Sequence, residues 1–219
     1  MSYDIYCLSY KNPERKSEME SRFKQLEINC IFSDGVHHND WSIMLGTLEV
    51  IQQFYNSGKE FCIFCEDDVY IHKDLKLMLP KVMEDFKLMN LDILLLGYLI
   101  PFEIKSYYHG FELKSDNPNL NYTYHNYPDD LWGVQMILFS RSHAKYILEK
   151  YTIQYAIKSR KDPTLQPFST DHTITKTGNR ALIYPMLAVE TANKTTGHFG
   201  QDTFHENCNK CNYDPNIYI

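Results

Sequence analysis

Four short runs rich in β-branched and aromatic residues, each set off by a stretch with helical spacing, limit what this chain can fold into. The runs are "YDIYCLS" from residue 3, "INCIFSDG" from residue 28, "EFCIFCEDD" from residue 60 and "LDILLLGY" from residue 91. Between the first two, "NPERKSEMESRFKQLE" puts Asn12 at a cap position and Pro13 in the first turn, with Met19, Phe23 and Leu26 at helical spacing. "WSIMLGTLEVIQQFYNSG" reads as a second helix, with Ile43, Leu45, Leu48, Val50 and Ile51 as its apolar positions and a Ser-Gly stop. "HKDLKLMLPKVMEDFKLMN" reads as a third, interrupted at Pro80. Strand and helix thus alternate three times over residues 1–99, which predicts a three-layer α/β domain with a mainly parallel central sheet. In such folds ligands sit beyond the carboxyl ends of the strands, near the switch in strand order.

The rest of the chain adds less regular material. Residues 100–127 are rich in Tyr, Asn and Pro and read as an irregular insertion of the kind that forms lids or binding loops. "LWGVQMILFSRSHAKYILEKY" gives a strand and then a helix capped by Ser140 or Ser142. "RKDPTLQPFSTDHTITKTG" reads as loop and short helix, "RALIYPMLAVE" as a last strand kinked at Pro185, and the segment from about residue 198 as a polar tail. No repeat or linker divides the sequence, so one domain over residues 1–219 is expected. A net charge of −6 argues against nucleic acid as the main partner, because phosphate neutralisation needs clustered Lys and Arg. No apolar run approaches the roughly 18 residues of a membrane span and no secretory leader is visible, so a soluble cytosolic protein is expected.

The third run ends at three adjacent carboxylates, Glu66, Asp67 and Asp68. Like charges at neighbouring positions repel, so the placement needs a cation nearby, and a Mg²⁺ or Mn²⁺ ion with hard oxygen ligands is one candidate. A solvated acidic turn is the plain alternative. Cys62 and Cys65 share C-x-x-C spacing, but on a strand they face opposite sides and cannot easily hold one ion; buried free thiols are expected for them and for Cys7. Cys208 and Cys211, with His205 just upstream, leave zinc or a disulfide open in the tail.

Several segments, in order, resemble glycosyltransferase family 25, which includes bacterial lipooligosaccharide galactosyltransferases and collagen galactosyltransferases. They are "IYCLSYKNPERKSEM", "FCIFCEDDVYIH", "LDILLLGY", "LWGVQMILFSRSHAKYILEKY" and "STDHTI" with "ALIYPMLAVE", together spanning roughly residues 3–190. Where relatives typically carry Ser-His before the acidic strand, this sequence has Gly46-Thr47. The resemblance implies a GT-A fold, a UDP-sugar donor, a glycan or protein hydroxyl as acceptor, and Mn²⁺ or Mg²⁺ bridging the diphosphate to the acidic motif. It implies Glu66 and Asp68 at the metal, with the late His198 as a candidate third ligand, and Asp67 supporting them or touching the donor. Ser9, Lys11, Asn12 and Arg15 follow the first strand and are expected near the uracil, ribose and diphosphate. Asp171 is the first candidate for the base that deprotonates the acceptor. Asp130, beside Asp129, and Trp132 are expected to border the acceptor, Asp130 being the second candidate base. A metal-dependent hydrolase of phosphoesters or nucleotide sugars, or an inactive sugar-binding relative, are the competing readings.

Overall fold

The structure is a computed structural model that describes residues 2–38, 41–102, 104, 108, 122–128, 131–192 and 200–219. Its centre is a seven-stranded sheet built from β1 (Tyr3–Leu8), β2 (Ile31–Ser33), β3 (Phe61–Glu66), β5 (Ile93–Leu99), β6 (Thr123–Asn126), β7 (Trp132–Ser140) and β8 (Arg180–Tyr184). The strand order is β2-β1-β3-β7-β5-β8-β6. Parallel pairing joins β1 to β2, β1 to β3 and β5 to β8, while β7 and β6 run against their neighbours. Five of the seven strands therefore point one way, and the sheet is mixed but mainly parallel.

Helices cover both faces because successive strand residues alternate sides. Ile63 and Cys65 join Met19 and Phe23 of α1 (Pro13–Gln25) and Met78 and Leu79 of α3 (Leu75–Leu88) in one core. Cys62 and Phe64 join Val50 and Phe54 of α2 (Ser42–Ser57) and Ala144 and Ile147 of α4 (Arg141–Lys150) in the other. Cys62 and Cys65 thus lie on opposite faces as free, buried thiols, and burial pushes the Cys62 thiol well up from its ordinary value. Each such side chain contributes about 1.5–3 kcal/mol by leaving water, so these two layers dominate the stability.

Local signals place the first helices. The Asn12 side chain accepts from Arg15 N, Pro13 occupies the first turn and left-handed Gly58 stops α2. The apolar face of α2 differs from the sequence pattern: Met44, Val50, Ile51 and Phe54 are buried, Leu45 and Leu48 half-buried, and Ile43 is 62 % exposed. Gly46 and Thr47 face inward; a Cβ at Gly46 meets Gly35 Cα and Leu8 Cδ1 at 3.2 Å, and Thr47 Oγ1 donates to Ile43 O. Pro80 does not interrupt α3, because the one carbonyl it leaves unbonded, Lys76 O, belongs to an exposed residue while Met78, Leu79, Val82 and Met83 hold the inner face.

Two segments fold otherwise than the sequence pattern indicates. "RALIYPMLAVE" is two strands: β8 ends at Tyr184, and after Pro185 the chain leaves the sheet to form β9 (Ala188–Glu190). β9 pairs antiparallel with β4 (Val69–Ile71), a strand too short to stand out in the sequence. Gly97 makes the crossing of β9 over β5 feasible, since a Cβ there falls 2.6 Å from Ala188 O. The polar tail contains α7 (Gln201–Asn212), anchored by Asn209 Nδ2 donating to Glu190 O and Asn212 Nδ2 donating to Ile100 O. No described helix is long and apolar enough to cross a membrane.

Candidate functional site

The strand order reverses at β1, whose neighbours are β2 on one side and β3 on the other, and the acidic motif closes β3 at that switch. The three carboxylates divide there. Asp67 and Asp68 turn toward the loop after β1: Ser9 Oγ donates to Asp67 Oδ2 at 2.8 Å, and Arg15 Nη1 lies 3.4 Å from Asp67 Oδ1 and 3.3 Å from Asp68 Oδ2. Asp68 is 1 % exposed, and its backbone carbonyl accepts from Thr191 N at 2.8 Å just past β9. Glu66 instead lines a cleft on the α2 side of the sheet. Among the described residues, the cation facing the acidic pair is the Arg15 guanidinium. Of the other two residues expected near the donor, Asn12 caps α1, and Lys11 takes a left-handed φ of 52° with its ammonium 5.1 Å from the Tyr10 ring centre.

These residues match a divalent ion only in part. Glu66 and Asp68 point to different sides of the motif, an ion on Asp68 has to share or displace the Arg15 contact, and His198 lies outside the described residues. Among the described residues no three His, Cys, Asp or Glu side chains group in a way that holds a metal ion. The same holds for the zinc alternative in the tail: His205 Nδ1 is engaged by Glu190, and the free Cys211 thiol donates to Pro101 O at 3.2 Å.

The cleft measures about 860 Å³, the size of a pocket for a small organic ligand. Glu66 of β3, Trp132 and Gln135 of β7, Asp171, Glu190 of β9 and His205 of α7 all line it. Asp171 sits in the first turn of α6 (Thr170–Thr173), where its backbone position fits a helix start. Its carboxylate does not cap the helix; Oδ1 accepts from Gly133 N across the cleft at 2.8 Å, and the other oxygen takes no hydrogen bond among the described residues. The carboxylate is held in one orientation with one oxygen available. Trp132 is 42 % exposed; Lys176 Nζ lies 3.9 Å from its ring centre and His172 packs against it edge-on. Burial, with the Lys176 charge adding to it, holds the His172 pKa below the ordinary imidazole value. Asp129 and Asp130 lie outside the described residues.

Glu190 and His205 were not legible as site residues. Glu190 Oε2 lies 2.5 Å from His205 Nδ1, with the carboxylate almost wholly buried and the ring partly open to the cleft. Glu190 does close a strand-like run, as Glu66 does, which is the one signal that pointed to it. Gln135 carries none: it is one polar residue within an otherwise apolar strand, placed on the α2 face with Ile137 and Phe139 by strand alternation, with Gly133 leaving room for its amide.

No family model matches the sequence and no curated protein matches it. Among solved structures the chain is similar to a "glycosyltransferase involved in the glycosylation of the major capsid of PBCV-1", with 12% identity over 83% of this chain and 82% of that one and a TM-score of 0.43. A likeness that distant carries no argument about chemistry.

Proposed function

We propose that this protein is a glycosyltransferase that moves a hexose from a UDP-sugar to a hydroxyl group on a glycan or a hydroxylated protein side chain. The observation that carries the reading is Asp171: a carboxylate anchored by Gly133 N, with its second oxygen available, in a ligand-sized cleft beyond the strand ends. The sequence resemblance and the acidic pair at the strand-order switch support it. In the proposed step Asp171 takes the proton of the acceptor hydroxyl, the acceptor oxygen bonds to the anomeric carbon, and the bond from that carbon to the diphosphate breaks, with its electron pair leaving on UDP. Trp132 offers an apolar ring face at the rim for a sugar. Ser9 and Arg15 stand where a diphosphate arrives, Arg15 able to trade its carboxylate partners for phosphate oxygens. If Mn²⁺ or Mg²⁺ takes part, Asp68 would hold it in exchange for its Arg15 contact, since Glu66 faces the other side of the motif, and the ion would supply Lewis-acid stabilisation of the departing diphosphate.

One observation favours a second reading. Arg15 already contacts Asp67 and Asp68 and offsets part of their charge, as expected of a relative that binds a nucleotide sugar without turning it over. A donor screen separates the two. UDP release from a panel of UDP-hexoses, with Mn²⁺ and with EDTA, is expected to show turnover of at least one donor in the presence of the ion. UDP binding without release from any donor supports the inactive relative, and absence of both binding and release removes the transferase.

A further inference from the structure

Gln135 lines the cleft, and neither end of its amide takes a hydrogen bond among the described residues. The residue is 3 % exposed, yet its Oε1 is buried with no hydrogen-bond partner among the described residues, and its Nε2 takes part in none of their hydrogen bonds. A buried amide left in this way is costly, and native structures satisfy such groups with protein, water or ligand. Its position is enforced. Gly133 has φ +98°, and a Cβ there falls 2.2 Å from Gln135 Oε1 and 2.9 Å from Leu99 Cγ, so glycine is what allows the amide to fold back over β7. The Gly133 N–H meanwhile holds Asp171. One residue thus positions both the carboxylate and the amide beside it.

We infer that Gln135 is a specificity-determining residue whose amide, turning outward into the cleft from the buried position it holds here, reads hydroxyl groups of the sugar ring, its Oε1 accepting from one hydroxyl and its Nε2 donating to another. This rests on the transferase reading and deepens it, naming a ring with free hydroxyls beside the reacting centre as the ligand class. An amide offers one acceptor and two donors on a planar group, which matches neighbouring hydroxyls of a pyranose. Sites built to hydrogen-bond a hydroxyl discriminate strongly against analogues lacking it, because the buried partner is then left bare.

The test compares the full chain with Gln135→Leu and Gln135→Met. Binding of UDP, of UDP-glucose and UDP-galactose, and of their methyl hexopyranosides is followed by ligand-observed NMR and calorimetry. Since the amide has no protein partner, both variants are expected to melt at or above the wild-type temperature, and a fall in Tm in both overturns the inference by making Gln135 structural. At least one sugar probe is expected to bind the wild type and to lose about tenfold in affinity in each variant, with UDP binding unchanged. Equal sugar binding by wild type and variants overturns it, as does failure of every sugar probe to bind the wild type. UDP binding in the same samples reports separately on the transferase reading: intact UDP binding with no effect at Gln135 removes only the hydroxyl-reading role.

Discussion

The turn from β3 to β4 separates two kinds of polar chemistry that the sequence presents as one acidic block. On the α1 side, Asp67 and Asp68 are met by Ser9 and Arg15, whose single positive charge offsets part of theirs. On the α2 side, among the described residues, Asp171 keeps one oxygen and Gln135 its amide without a hydrogen bond, and both residues line a cleft. A ligand that hydrogen-bonds these cleft groups would be rewarded there, whereas the corner already has partners of its own.

The largest effect that can break this contrast is on catalysis. Asp171→Asn keeps an oxygen to accept from Gly133 N but cannot take a proton, so turnover of the preferred donor and acceptor is expected to fall 10²–10⁴-fold with the melting temperature unchanged. Turnover that survives the change moves the chemistry out of the cleft.

Next comes the corner. Arg15→Ala leaves two adjacent carboxylates facing each other, and urea unfolding is expected to show a loss of about 2 kcal/mol, less than for a wholly buried pair because the Arg15 side chain is 28 % exposed. If Mn²⁺ restores stability to Arg15→Ala and does nothing for wild type, the corner is a cation site that arginine fills. Unchanged stability in the variant means that Arg15 does not answer these charges.

The smallest effect is a pH dependence of the cleft wall. His143 of α4 is buried and donates from Nε2 to Ile174 O at the end of α6, the helix that carries Asp171. Burial lowers its pKa below the ordinary value of 6.5, outweighing the raising influence of the Ile174 hydrogen bond and of Asp92. The unfolded chain therefore binds the proton more readily, so this contribution to stability is present above about pH 6.5 and is lost as the pH falls below it through the lowered folded pKa. Hydrogen exchange of α6, taken relative to the intrinsic amide rate at each pH, is expected to quicken on acidification while that of α1 does not. His143→Gln should remove the difference, and equal quickening of both helices would sever the link between His143 and the cleft.

Much of the fold was legible in local sequence. Asn12 and Pro13 start α1, Gly58 ends α2, Ser140 caps α4 through His143 N, and alternation along "FCIFC" assigns each residue its face. These signals act between residues a few positions apart, so the sequence states them directly. β4 and β9 were not legible, because three-residue strands are defined by each other across more than a hundred residues.

The sequence by itself determined that strands and helices alternate, that one strand ends in carboxylates and that Asp171 falls in a segment of loop and short helix. Tertiary structure alone decided that Glu66 parts from Asp67 and Asp68, that Arg15 is the cation facing the pair, and that Gln135, Asp171, Glu190 and His205 share one cleft. The physical reason is that a side chain's face and caps follow from its near neighbours. Convergence on a point depends instead on strand order, on register, and on glycines such as Gly97 and Gly133 that let distant backbones and side chains come close.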